Sequence, residues 1–312
     1  MKSDYRISVL IPCHSTKFLS DTISSIQEQT MGKKEFEVVI VADRVGEAEV
    51  KSILEGSGLN VQIISSDKPG IVPALNIGLK NITSEYIARM DEDDLMYPNR
   101  LQVQLDYLDN IPICVAVGGQ IELIDEFGSQ IGKSKFRRKI ATSYKDLFYA
   151  SPLAHPAAMI RRSAMTKVGD YRDFLAEDWD LWVRLREVGE VHNLSQRVIK
   201  YRVHNNQLSR EKMYLQSRAR LIIGVSYFAR QAKLADGPVS ISELENWLSE
   251  STKYLQENNF QFRSFLQWAK RLDLYQEKFN SLITTKSISA GLKLLIQFPT
   301  LFLRDMLKKV LH

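Results

Sequence analysis

Cysteine is almost absent from this chain. Its 312 residues include 2, Cys13 and Cys114, too few for a disulfide-stapled scaffold or a multi-cysteine metal centre. Both lie in apolar stretches and read as buried thiols of a reducing compartment. Long apolar runs are missing too. No stretch of ~20 apolar residues occurs, so a membrane-spanning helix is not expected. The first apolar run, residues 7–12, is too short for a secretory signal core. Polar His14, Ser15 and Lys17 follow it closely. The chain is therefore expected in the cytoplasm. A G-x-x-x-x-G-K-[ST] loop is absent, which argues against a kinase or NTPase of that type. Internal repeats and low-complexity tracts are absent as well.

What is present is an ordinary globular composition, 44% hydrophobic and 25% charged. It provides enough apolar material for one large domain with a smaller appendage. The net charge of +5 conceals an asymmetry. Residues 1–209 carry 26 Lys+Arg against 28 Asp+Glu, whereas residues 210–312 carry 16 against 9. A basic block of that kind suits an anionic surface such as lipid. Nucleic acid would rest on charge alone and is not expected as a partner.

The N-terminal half alternates short β-branched runs with helical patterns. Residues 7–12, 37–42, 61–65 and 86–90 read as strands, by their length and their Val and Ile content. Between the first two, Leu19, Ile23 and Ile26 share one helical face; residues 72–80 form a second helix candidate. This order predicts an α/β fold, with a mostly parallel sheet covered by helices on both faces. Further strands are expected at 115–119, 120–124, 153–161 and 198–201, a turn at 125–128 and a helix over 180–187. From about residue 210 helical periodicity takes over. The final segment sets Leu303, Met306, Leu307 and Val310 opposite Arg304, Lys308 and Lys309.

In such sheets ligands bind beyond the carboxyl ends of the strands. Those positions hold Pro12-Cys13-His14, Asp43-Arg44 and Asp91-Glu92-Asp93-Asp94. Four consecutive acids repel one another, and a hard divalent cation held with diphosphate offers compensation. Alternation along an extended segment puts Asp91 and Asp93 on one side. A solvated loop, or Asp94 capping a helix near Pro98, would give the same run; its place directly after an apolar strand favours the metal. A second acidic group, Glu177-Asp178-Trp179-Asp180, precedes an amphipathic stretch. Acids there are favourable as helix caps. One of them is equally suited to act as general base toward an acceptor hydroxyl.

Seven segments in order resemble glycosyltransferase family 2: residues 8–12, 36–43, 68–79, 87–94, 155–163, 177–182 and 201–209. The resemblance implies a GT-A fold, Rossmann-like, over 1–209, with nucleotide-sugar binding in about 1–120 and the acceptor side in about 120–209. The basic helical region, 210–312, follows as an extension. It also implies inverting, metal-dependent transfer of a sugar from a nucleotide diphosphate donor, a UDP-sugar, to a glycan or lipid-linked acceptor, as in O-antigen or capsule assembly. Carried over by residue, Pro12 and Asp43 line the base pocket. Arg89 contacts diphosphate and Asp91 the ribose or donor sugar. Asp93 and His204 hold Mn²⁺ or Mg²⁺. Asp178 is the base, with Glu177 beside it on the acceptor side. Residues 286–312 read either as a peripheral contact with the inner face of the cytoplasmic membrane or as an apolar face packed on the catalytic domain or a second subunit. The competing readings are a non-catalytic nucleotide-sugar binding protein on this fold and a nucleotidyltransferase.

Overall fold

A computed structural model describes residues 5–134, 136, 151–173, 176–204 and 223. The chain divides into two units, Met1–Gln207 and Leu208–His312. The sheet and its flanking helices belong to the first. The expected helices beyond residue 209, including 286–312, lie outside the described residues, as do Gln207 and Ser209. Among the described residues no helix is long and apolar enough to cross a membrane.

Nine strands form one sheet: β1 (Ile7–Cys13), β2 (Phe36–Ala42), β3 (Val61–Ser65), β4 (Tyr86–Arg89), β5 (Leu95–Met96), β6 (Cys114–Ile124), β7 (Gln130–Ser134), β8 (Met159–Arg161) and β9 (Glu190–Arg202). Among the described residues six helices flank it: α1 (Leu19–Gln27), α2 (Glu47–Leu54), α3 (Ile71–Asn81), α4 (Arg100–Asn110), α5 (Arg162–Val168) and α6 (Glu177–Leu185). The strand order is β3-β2-β1-β4-β8-β6-β9-β5, with β7 added to β6. The first four strands are parallel. Short β8 then runs antiparallel between β4 and β6, and β6 and β9 run parallel to each other. The sheet is thus parallel in its N-terminal half and mixed beyond.

Alternation along the strands feeds two cores, one on each face. Ile7, Val9, Ile11 and Cys13 join Val38 and Ile40 in one, together with Leu19 and Ile23 of α1 and Leu101 and Leu105 of α4. Leu10, Val39 and Val41 join the other, together with Ala74 and Leu75 of α3 and Leu181 and Trp182 of α6. Covering both faces is why the β1 and β2 sequences are continuously apolar. Gly78 lets α3 lie close to the sheet, because a Cβ there would overlap the Leu10 side chain.

Three regions differ from the sequence expectation. Residues 115–124 form one long strand rather than two, with register shifts against β9. In 153–161 only the last three residues are strand; His155–Ala157 makes a 3-10 turn, as Pro156 cannot donate to a ladder. Strand β9 spans 13 residues, well beyond the expected 198–201. Its first half, E-V-H-N-L-S-Q, lacks a β signature and is extended by pairing with β6.

Candidate active site

The site is assembled where β1, β2 and β4 end. Pro12, buried in β1, is paired in register with Val41. Asp43 follows β2, and its N–H donates to the Cys13 carbonyl at 2.8 Å. Its side chain is 6% exposed. Oδ2 accepts the Gly70 N–H at 2.9 Å, with His14 Nδ1 3.6 Å away. Gly70 makes that bond at φ 117, a conformation reserved for glycine. Oδ1 is buried without a hydrogen-bond partner among the described residues. Arg44 beside it holds φ 65, a backbone strain that concentrates at functional sites.

Beyond β4 the acids turn inward. Asp91 Oδ1 lies 2.5 Å from Arg89 Nη1, and the Arg89 side chain is 3% exposed. Burial alone would lower the Arg89 pKa, but its pairing with Asp91 outweighs this and keeps the guanidinium charged. Asp93 Oδ2 meets His204 Nε2 at 2.8 Å. Asp94 Oδ1 accepts the Arg202 N–H at 2.8 Å, and its Oδ2 is buried without a hydrogen-bond partner among the described residues. Asp94 is therefore not a helix cap; α4 starts at Arg100, with Asn99 at its N-cap. Oxygens of Asp91, Asp93 and Asp94 lie within 4.8 Å of one another. Burial, then the neighbouring acids, raises the pKa of both Asp93 and Asp94; His204 partly offsets this at Asp93. Glu92 is pushed up to about 8 by burial and by Asp91 and Asp93. Crowded, buried carboxylates of this kind are electrostatically short of a cation.

The second acidic group opens α6, after Ala176 at the N-cap. Asp180 is a structural acid, since Arg184 binds it at 2.7 Å within the buried interior. Asp178 Oδ1 accepts the N–H of Trp179 at 2.8 Å. Glu177 is raised to about 7 by burial and by Asp178, while Arg89 opposes the shift and Asp91 adds to it. His155 Nε2 lies 2.9 Å from the Tyr171 hydroxyl, and its Nδ1 is 4.0 Å from Glu177 Oε1. Burial and Arg89 hold His155 well below its usual pKa, so it is neutral. Arg89 and Asp91 of the first cluster thus act on Glu177 of the second, although about 85 residues separate them. The two acidic groups share one electrostatic neighbourhood around Arg89.

The family model for glycosyl transferase family 2 matches residues 8–169, a span that includes Pro12, Asp43, Arg89, Asp91 and Asp93. The chain belongs to glycosyl transferase family 2. It is similar to the Escherichia coli O-antigen biosynthesis glycosyltransferase WbnJ, at 31% identity over 66% of this chain and 83% of that one. It also resembles the Escherichia coli UDP-Gal:alpha-D-GlcNAc-diphosphoundecaprenol beta-1,3-galactosyltransferase, at 28% identity over 57% of this chain and 67% of the relative. The match spans 35% of a longer, uncharacterized glycosyltransferase of Rickettsia conorii. Among solved structures, S. aureus TarS 1-349 with UDP-GlcNAc superposes with a TM-score of 0.57 at 16% identity, covering 92% of this chain and 93% of that one. This likeness shows that the GT-A fold is shared.

Several contacts of this family 2 chain had no local signal in the sequence. Asp94 joins the acidic cluster because its main chain turns after Asp93. Asn76 clamps the Tyr171 backbone from both sides, accepting its N–H at 2.9 Å and donating to its carbonyl at 2.8 Å. Glu177 makes stability depend on pH. Its folded pKa lies above the ordinary 4.5, so the folded chain keeps a proton that the unfolded chain releases. That contribution is fully present below the unfolded value and is lost as pH rises through about 7. In EDTA, the melting temperature of wild type relative to Glu177→Gln should fall between about pH 5 and about pH 7.5. A constant difference across that range would contradict the shift.

Proposed function

We propose that this chain transfers a sugar from a UDP-sugar to a hydroxyl of a glycan or lipid-linked glycan, with inversion, in surface-polysaccharide assembly. One observation carries the reading: Arg89 and Asp91 of the first acidic group act electrostatically on Glu177 of the second, so a donor-holding group and an acceptor-activating one share a neighbourhood. The base assignment draws on Asp43. With Oδ2 occupied by Gly70, Oδ1 is left to accept one donor. Uracil offers one imide N–H there, whereas guanine presents two adjacent donors. TarS with UDP-GlcNAc and the UDP-Gal transferase support the same choice.

Asp91, Asp93 and Asp94 suit Mn²⁺ or Mg²⁺, since they are hard oxygen donors and the buried Asp94 Oδ2 lacks a hydrogen-bond partner among the described residues. His204 sits beside them as a further ligand candidate. When bound, the ion supplies Lewis-acid stabilisation of negative charge on the departing diphosphate. Arg89 we read as the counter-charge of Asp91 rather than as a direct phosphate contact, because it is buried and paired. Asp178 takes the acceptor proton as the hydroxyl oxygen attacks the anomeric carbon. A single displacement inverts that carbon. Neutral His155 and Glu177, less charged than an ordinary carboxylate, line the acceptor side. The acceptor is placed at the inner face of the cytoplasmic membrane, with residues 286–312 as the contact.

Thermal stabilisation by UDP-, GDP- and dTDP-sugars, with and without Mn²⁺ or Mg²⁺, tests this. A UDP-sugar at ~100 Kd should stabilise by about 2.7 kcal/mol, and only with metal. Equal stabilisation by GDP-sugars overturns the base assignment. Stabilisation by none of them overturns the reading as a whole.

A further inference from the structure

We propose that Arg202 is a positioning residue that sets the geometry of the metal-binding carboxylates from behind. The proposal rests on the reading of Asp91, Asp93 and Asp94 as the metal site. Arg202 closes β9 and is 1% exposed. Its Nε donates to the Asp93 carbonyl at 2.8 Å. Nη1 donates to the Glu126 carbonyl at 2.9 Å, in the turn between β6 and β7. Nη2 donates to Asp21 Oδ2 at 3.0 Å, on α1. The guanidinium lies 4.4 Å from the centroid of the Phe18 ring. One fork therefore ties the acidic loop to α1 and to the far hairpin. The main chain of the same residue acts separately, through its N–H on Asp94 Oδ1.

The arrangement answers a physical difficulty of the loop. Three carboxylates with oxygens within 4.8 Å repel one another when no cation is bound. Each has its own restraint. Arg89 holds the Asp91 carboxylate. The Arg202 N–H holds that of Asp94, and His204 holds that of Asp93. The Asp93 main chain, which decides where its carboxylate can reach, is held by the Arg202 side chain. Phe18 links two of these restraints, since the His204 ring lies 5.6 Å from the same aromatic ring. Thr22 adds a further tether, its hydroxyl lying 2.8 Å from the Glu92 carbonyl and 2.9 Å from that of Asp94. A guanidinium is suited to this task. It serves several acceptors in a plane while stacking on a ring, and an ammonium cannot do both.

The Arg202 side chain touches no proposed ligand atom and no proposed reacting atom; on Asp93 it meets the main-chain carbonyl. Its effect should therefore appear in metal affinity and not in the chemistry of transfer. The test is Mn²⁺ binding to the full chain in the presence of UDP, followed by the EPR signal of free Mn²⁺. Variants are Arg202→Lys, Arg202→Gln and Asp21→Asn, with Asp93→Asn as the control and thermal melts without metal run in parallel. Loss of a residue that orients a metal ligand typically costs 10–100-fold in affinity. Arg202→Lys and Arg202→Gln should weaken Mn²⁺ binding by about that factor. Asp21→Asn removes the negative charge of one partner of the fork at an exposed position and should weaken binding less, with the fold intact. If Arg202→Lys and Asp21→Asn melt lower but bind Mn²⁺ as wild type does, the residue serves the fold alone and the proposal is overturned. If wild type itself binds no Mn²⁺ with UDP, or Asp93→Asn binds as well as wild type, the metal-site reading fails first.

Discussion

Asp178→Asn should retain nucleotide binding and lose between ~10² and ~10⁴ in turnover, the usual worth of a positioned general base. The amide is nearly isosteric with the carboxylate. Its oxygen can still accept the Trp179 N–H that Asp178 receives at the start of α6, so that local contact is kept. What the amide cannot do is take a proton from an attacking hydroxyl. The loss should fall on kcat, with the donor KM little changed, because the removed interaction develops only in the transition state. Steady-state kinetics with the donor selected by thermal stabilisation checks this. Turnover near wild type would move the base elsewhere, and Glu177, held near pH 7 by its surroundings, would be the next residue to test.

Asp93→Ala should abolish the metal-dependent part of nucleotide binding. Asp93 lies within the acidic run, and its partner His204 is also a ligand candidate, so the substitution removes one oxygen donor and breaks the contact that holds His204 to the cluster. The metal-dependent stabilisation by a UDP-sugar, about 2.7 kcal/mol for wild type at ~100 Kd, should vanish. The apo protein should melt no lower than wild type, and repulsion within the cluster should ease, since burial and Asp91 already raise the Asp93 pKa. Calorimetry with UDP and Mn²⁺ gives the affinity directly. Unchanged affinity would remove Asp93 from the metal site. The Asp178 and Asp93 variants together separate two functions: one should bind without turning over, the other should fail at binding.

Strands β1 to β4 and helices α1 and α3 were legible because their signals are local. Ile7–Cys13 and Phe36–Ala42 carry runs of β-branched residues, and Leu19, Ile23 and Ile26 repeat at the helical period. Helix α4 was less visible because Arg100 and Gln104 sit on its buried face and interrupt the apolar stripe; both are fully enclosed. Arg100 spends its donors on the Arg89 carbonyl and on Gln104, partners that no spacing along the chain announces.

The sequence by itself determined the β-α-β order, the strand ends at which acids gather, and the family. These depend on consecutive residues, through steric preference, alternation and turn chemistry. Tertiary structure alone decided that β8 enters antiparallel between β4 and β6, and that Asp94 turns inward. It also decided that Arg202 reaches Asp93 across 109 residues and that Asn76 grips Tyr171 across 95. The physical reason is register. A buried polar group is satisfied by whatever neighbour the strand pairing brings within about 3 Å, and a slip of one residue would turn it to the other face of the sheet.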